Sequence, residues 1–420
     1  DIELVTLTHS IPEPSAVVVR TKAGTVLHTG DWKLDPGPRI GDTVDESALR
    51  RLGEEGVLAM MCDSTNALVD GDTGSEEDVY ESLLELVGHY KNRVVITCFA
   101  SNVARIRTIA EVAKHHGRRA ALIGRSLWRI VEAARVGGYL DGLPEFISDR
   151  DAGLLPREKV LLICTGSQGE PRAALSRIAR DDHPEIKLQT GDTVIFSSRI
   201  IPGNERPIGH LQNLLAAIGI EIVSERDHLV HVSGHPARDE LVRMYQWIRP
   251  RIAVPVHGEA RHMISHAELA RACQVPETPV INNGDVLRLS GAHAEVVGKV
   301  HHGRLAVDGR SLARIDGEML RKRQRMLWNG SAVVTLVVNE SGDLLEDPQV
   351  SAPGLIEDEV ADLKLAENVI DMVTTAVVSL PPALRCDNEE IREAARRAAR
   401  RGFREQRGKR PPTTVHLVRL

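Results

Sequence analysis

Hydrophobic and polar positions change their rhythm three times along the chain. Near the start, the β-branched run SAVVVR (15–20) predicts a strand, TKAG (21–24) a turn, and TVLHTG (25–30) the return strand. A hairpin brings its two outer ends together. His9 lies just ahead of the first strand and Asp31 just behind the second, so both belong at one rim of a sheet. His and Asp serve as metal ligands and as acid–base groups. The plainer reading of this stretch alone is a loop His and a capping Asp.

From 94 to 225 the rhythm becomes short apolar runs followed by polar loops and amphipathic stretches. VVITCF (94–99), AALIG (120–124), KVLLIC (159–164) and DTVIFS (192–197) read as strands, each leading into a helix. This alternation predicts a parallel sheet with helices on its faces. Ligands of such sheets bind outside the carboxyl ends of the strands, where loop amides and helix starts attract anions. The loops there are small, polar and Gly- or Ser-rich. With Arg105, Arg125, Arg172 and Arg199 nearby, the set points to a phosphate-rich ligand. For any single loop, capping of the next helix is the plainer account.

A third pattern spans HVSGHPARDELVRMYQWIRPRIAVPVHGEARH (231–262). Apolar residues at 241, 244, 245 and 248 follow helical spacing, with Pro236 at the first helical position and Asp239 and Glu240 in the first turn. IAVPV (252–256) is then a strand, and His257 follows its carboxyl end. Ser233, Gly234 and His235 sit where the helix begins, a natural anion site; His257 sits where a metal or substrate would bind. His231 reads as a packed partner. Beyond about 295 comes a connector with small strands, then a hairpin with NESGD as its turn. Helices at about 358–379 and 387–406 follow, and TVHLVRL closes as a strand. The last helix carries Ala on one face and Arg on the others, the pattern of a packed stripe with a solvated charged face.

Composition sharpens this picture only in places. The chain has 420 residues, 42% hydrophobic and 27% charged, which fits a globular protein of two to four domains. Aromatics make up 3% and net charge is −6, so nucleic-acid binding requires a local basic surface with few stacking platforms. The five cysteines are scattered without a CxxC pair, against a disulfide framework or zinc knuckle. No signal peptide or membrane-spanning apolar stretch stands out. Position 1 is Asp rather than Met, close to a strand-like segment, which leads to the expectation of a portion of a longer protein.

The motifs THSIPE, HTGDWKLD, CDSTNA, CFASNVARI, GRSL, TGSQGEPRAALSRIA, SSRIIPGNE, HVSGHPARDEL and PVHGEARH occur in one order. In that order the chain resembles RNase J, bacterial ribonucleases of the β-CASP branch of the metallo-β-lactamase superfamily. The resemblance implies an αββα metallo-β-lactamase sandwich, incomplete here, with an inserted parallel-sheet β-CASP domain and a small α+β C-terminal domain. It assigns 1–75 and 237–295 to the β-lactamase domain, 76–236 to the β-CASP domain, 296–324 to a linker and 325–420 to the C-terminal domain.

The resemblance also implies two divalent metal ions, zinc first with manganese or magnesium as alternatives. His9 becomes a ligand of one ion, Asp31 a bridging ligand and His257 a ligand of the other. Asp63 matches the acidic β-CASP position. Ser233, Gly234 and His235 match the segment holding the scissile phosphate, with His235 also a proton donor. The expected activity is 5′-to-3′ exonuclease and endonuclease cleavage of RNA in maturation, rRNA included, and in decay. The expected substrate is single-stranded RNA with a preferred 5′-monophosphate. The expected setting is a cytoplasmic homodimer or homotetramer without a membrane. One departure stands out: the family's His-x-His-x-Asp-His motif is absent, so this chain alone is expected to be weakly active or inactive. A non-catalytic β-CASP RNA-binding or scaffold subunit, and a DNA-directed β-CASP nuclease, are the competing readings.

Overall fold

In the computed structural model, which describes residues 1–290, 293–356 and 360–420, the expected hairpin forms between Ser15–Thr21 and Gly24–His28. Ile2–Thr6 pairs antiparallel with its outer edge. On the other side, Gly24–His28 runs parallel to Ala59–Asp63, which runs parallel to Ile252–Val256. These five strands form one sheet. Leu27, Met60 and Cys62 on the sheet pack with Trp32, Leu49, Leu52 and Tyr245 in one core, contributed partly by the helices Glu46–Glu55 and Arg238–Ile248.

The second sheet is all parallel, in the order Arg119–Ile123, Val160–Cys164, Val94–Thr97, Thr193–Phe196, Glu221–Val223. VLLIC and VVIT are buried along their whole length, as strands covered on both faces must be. Ile96 and Ile163 pack on one face with Leu83, Ile106 and Ile109. Val95 and Leu162 pack on the other with Ile178, Leu211 and Leu215. The two sheets correspond to the β-lactamase part and the inserted parallel-sheet domain that the resemblance implies. Burial pushes the Cys62 and Cys98 thiols up to about 12, which keeps them inert.

Asp1–Val300 forms one compact unit and His301–Leu420 another. In the second, Ala332–Val338 is flanked by Gln349–Ser351, antiparallel, and Thr413–Arg419, parallel. Helices Val360–Val378 and Asn388–Arg407 cover the sheet through Val369, Val373, Ala395 and Phe403. The expected helix start at 358 lies outside the described residues. Among the described residues no helix is long and apolar enough to cross a membrane.

Candidate metal centre

Strand register brings the first functional residues together. Asp63 pairs with Val256 at the carboxyl ends of adjacent parallel strands, so His257, the next residue, emerges beside Asp63. On the other flank Thr29 N donates to the Met61 carbonyl at 3.0 Å. Gly30 then turns with φ +63°, and Asp31 reaches the same rim. Asp31 Oδ1 lies 3.4 Å and Asp63 Oδ1 3.3 Å from His257 Nδ1. From the loop just ahead of the Arg238–Ile248 helix, His235 Nδ1 donates to Asp63 Oδ2 at 2.7 Å. Donor atoms of Asp31, Asp63, His235 and His257 all lie within 4.8 Å of one another.

His9 reaches the same rim but is not one of these four. Thr8 and Lys33 bridge, with Thr8 Oγ1 donating to the Lys33 carbonyl at 2.7 Å, and this ties the loops of His9 and Asp31 together. His9 Nδ1 donates to the Gly234 carbonyl at 2.6 Å. Its ring lies 5.3 Å from that of His235, which lies 5.3 Å from that of His257. A Cβ on Gly234 would stand 2.6 Å from the His9 ring, so glycine is required there.

The charges are strongly coupled. Burial alone would raise the Asp63 carboxyl, but hydrogen bonds from His235 and His257 outweigh it and hold it well below the usual carboxylate range. The Asp63 hydrogen bond raises His257 against burial. Burial lowers His9, partly offset by the Gly234 carbonyl. His257 also adopts φ +55°, a left-handed conformation uncommon for a non-glycine residue. Such local strain persists where the surroundings impose it, commonly at functional sites. Thr65 braces the pair: its Oγ1 donates to Asp63 Oδ1 at 2.7 Å and lies 2.9 Å from His257 Nδ1.

A second tier holds the Ser233–His235 loop. Asn66 Nδ2 donates to Ser233 Oγ and to the His235 carbonyl, both at 2.8 Å, and Arg199 Nη1 donates to Asn66 Oδ1 at 3.0 Å. Asn66 was not among the expected site residues; its signal is its place in the short polar loop after the apolar strand that ends in Asp63. Arg105, grouped by sequence with the phosphate-facing arginines, is fully buried and bound to Glu76 instead. The helix near 238 also differs from expectation. Glu240 accepts from Ala237 N at 2.8 Å, which caps the helix there and leaves Pro236 ahead of it.

The donor set fits a divalent cation. The two carboxylates and the His257 imidazole, with His9 at the same rim, suit zinc and its neighbours, while His235 Nδ1 is committed to Asp63; hydrogen bonds hold the Asp63 carboxyl well below the usual range. Fold and donors together define a hydrolase of the metallo-β-lactamase β-CASP class.

Family models narrow this further. "Ribonuclease J, beta-CASP domain" matches residues 91–215, "Zn-dependent metallo-hydrolase RNA specificity domain" residues 219–276, and "Ribonuclease J C-terminal domain" residues 318–420. The chain is 45% identical to a Ribonuclease J of Sinorhizobium meliloti, over 100% of the chain and 74% of that protein. It is 41% identical to one of Corynebacterium glutamicum, over 98% of the chain and 57% of that protein. The chain belongs to the Ribonuclease J family.

Proposed function

We propose that the chain hydrolyses phosphodiester bonds of single-stranded RNA at the Asp31, Asp63, His235 and His257 cluster. The observation that carries this reading is the convergence of four donor atoms within 4.8 Å around a fully buried carboxylate. Asp31, Asp63 and His257, with His9 as a further donor, would hold two divalent cations, zinc by the chemistry of the donors. Bound cations of this kind lower the pKa of a shared water and neutralise charge on the phosphate.

The chain's own groups supply the rest. His235, oriented by Asp63 through Nδ1, offers its other ring nitrogen as proton donor to the departing oxygen. Ser233 Oγ accepts from Asn66 at 2.8 Å and from His235 N at 3.2 Å, which leaves its own hydrogen for a phosphate oxygen. Family membership supports 5′-to-3′ exonuclease action preferring a 5′-monophosphate, together with endonuclease action, in rRNA maturation and RNA decay in the cytoplasm. It equally supports a homodimer or homotetramer assembled through 325–420. One sheet drawing on 2–63 and 252–256 and another on 94–223 supports reading 1–75 with 237–295 and 76–236 as two domains, with 296–324 as linker and 325–420 as the C-terminal domain. His-x-His-x-Asp-His does not occur in these 420 residues, so the proposed site rests on the donors named above and its turnover is expected to fall below that of a chain carrying the motif.

The test reads cation content by mass spectrometry beside cleavage of 5′-monophosphorylated RNA. Asp63→Asn is expected to lower cation affinity by more than about tenfold. His235→Ala is expected to lower turnover roughly 10²- to 10⁴-fold with cation content retained. A His235→Ala loss of cation that matches its loss of turnover overturns the proton-donor role. Tight binding of two cations by Asp63→Asn overturns the site.

A further inference from the structure

A second constellation lies on the parallel sheet. The carboxyl ends of Arg119–Ile123 and Val160–Cys164 open into a cavity of about 830 Å³, lined by none of the four cluster residues. Its charged lining is Arg125, Arg129, Arg172 and Arg177 against Asp149 and Glu170, with His183 beside Asp149. The two acids are already engaged: Glu170 accepts from Gln168 N at 3.1 Å, and Asp149 accepts from Arg150 N at 3.0 Å. Arg177 is engaged too, donating to the Asp182 carbonyl at 2.7 Å. Arg125, Arg129 and Arg172 are exposed and have no ion-pair or hydrogen-bond partner among the described residues. Four guanidinium groups against two carboxylates leave the cavity lining net positive, which favours entry of an anion.

Two further features select the anion. The helix Arg125–Val136 begins at this cavity after Gly124, with φ +135° and no side-chain cap, so its first amides are available to a phosphate. Trp128, 38% exposed, lines the same cavity. In a chain with four tryptophans and few other aromatics, an exposed indole among arginines is a stacking surface for a base.

We propose that this cavity binds one nucleotide unit of single-stranded RNA, with the phosphate at Arg125, Arg172 and the helix start and the base on Trp128. The proposal rests on the reading of the chain as acting on RNA. It adds a contact point separate from the metal centre. The volume is within the range of pockets that enclose a small ligand.

The test is fluorescence anisotropy of a labelled short oligouridylate with the full chain in EDTA, which removes cleavage and bound cations. Trp128→Ala is expected to weaken binding roughly 5- to 100-fold, and Trp128→Phe to retain most of it. The triple change Arg125→Ala, Arg129→Ala, Arg172→Ala should weaken binding and lower the slope of log affinity against log salt by about 0.7 in magnitude, the share of the one phosphate held in the cavity. Because the three arginine side chains are exposed, thermal melting of the triple variant should be unchanged, and Trp128→Phe controls for any packing loss in Trp128→Ala. If the wild type binds and these variants match it in affinity and slope, the cavity is not an RNA site, while the RNA reading stands. If the wild type binds no oligouridylate, the RNA reading falls and this proposal with it. Displacement of the strand by equal concentrations of UMP or inorganic phosphate would make this a free-nucleotide or phosphate site and overturn the strand assignment.

Discussion

Arg105 and Arg125 head successive helices on one parallel sheet, yet their surroundings are opposite. Arg105 is fully buried. Its Nη2 meets Glu76 Oε1 at 2.9 Å and its Nη1 donates to the Val230 carbonyl at 2.9 Å, with Ser197 alongside. Arg125 is exposed and its side chain has no partner among the described residues, at a helix start without a side-chain cap. In sequence the two look alike, each following an apolar strand and a polar loop. A charge saturated inside the fold therefore reports architecture, and a charge left open in a cavity reports a partner. The four-donor cluster is intermediate: Asp63 is buried, while His257 remains half exposed.

The strongest way to break this contrast is to delete Arg105. Arg105→Ala leaves Glu76 buried without its partner, and such a loss costs about 3–5 kcal/mol, read from urea unfolding. Replacing both partners together, Arg105→Met with Glu76→Leu, should cost less than Arg105→Ala alone, because no charge is then stranded. A loss below about 1 kcal/mol for Arg105→Ala would show that the buried pair is not what holds this part of the fold.

The same contrast separates His266 from His257 and predicts a pH dependence. His266 is fully buried, with Ser64 Oγ 2.8 Å from Nδ1 and Tyr245 Oη 2.8 Å from Nε2. Burial pushes it down to about 4. The folded chain thus keeps His266 neutral where the unfolded chain takes up a proton near 6.5. Its contribution is complete above pH 6.5, declines as pH falls toward about 4, and is level below that. The full decline is up to about 3 kcal/mol. His257, raised by Asp63, acts with the opposite sign. In cation-free protein its contribution is present below pH 6.5 and is lost as pH rises through its raised value. Urea midpoints at pH 7.5 and 4.5 should differ less for His266→Gln than for the wild type; equal differences would sink the assignment.

Much of this was legible from the sequence, for physical reasons that differ by element. The 15–30 hairpin and the strands at 94, 120, 159 and 192 stand out because fully or half-buried strands impose runs or alternation that loops lack. His257 was legible because an apolar strand ends directly before it. The Asp63–His235 contact was not, since it joins residues 172 positions apart and depends on two helices and the sheet register. Neither was the burial of Arg105. Its partner Glu76 is in the first turn of a helix capped by Ser75, a local signal that says nothing about what the carboxylate faces. The left-handed His257 backbone leaves no trace in residue type.

The smallest expected effects lie on the helix Asn388–Arg407, and they set the comparison's other limit. This helix also carries many arginines, but its chemistry differs from the Arg125 cavity. Asp387 caps its start: its Oδ1 accepts from Glu389 N at 2.8 Å, which engages an amide that the uncapped Arg125 helix leaves open. Arg392 pairs with Glu389, and Arg396 and Arg397 pair with Glu393 within one helical turn. Ala395, Ala398, Ala399 and Phe403 are buried, so the arginine face is what remains for solvent. Arg400, Arg401 and Arg404 border a groove of about 650 Å³ that no aromatic side chain lines. A cationic groove without a stacking surface attracts polyanions weakly and without preference for single strands. Arg400→Ala with Arg401→Ala is therefore expected to change stability by less than about 0.5 kcal/mol, helped by the high helix propensity of alanine. Oligouridylate affinity and its salt slope should stay at wild-type values in the anisotropy measurement. A tenfold loss of affinity with a shallower slope in this variant would move the RNA path onto the C-terminal unit and reverse the ranking of the two arginine surfaces.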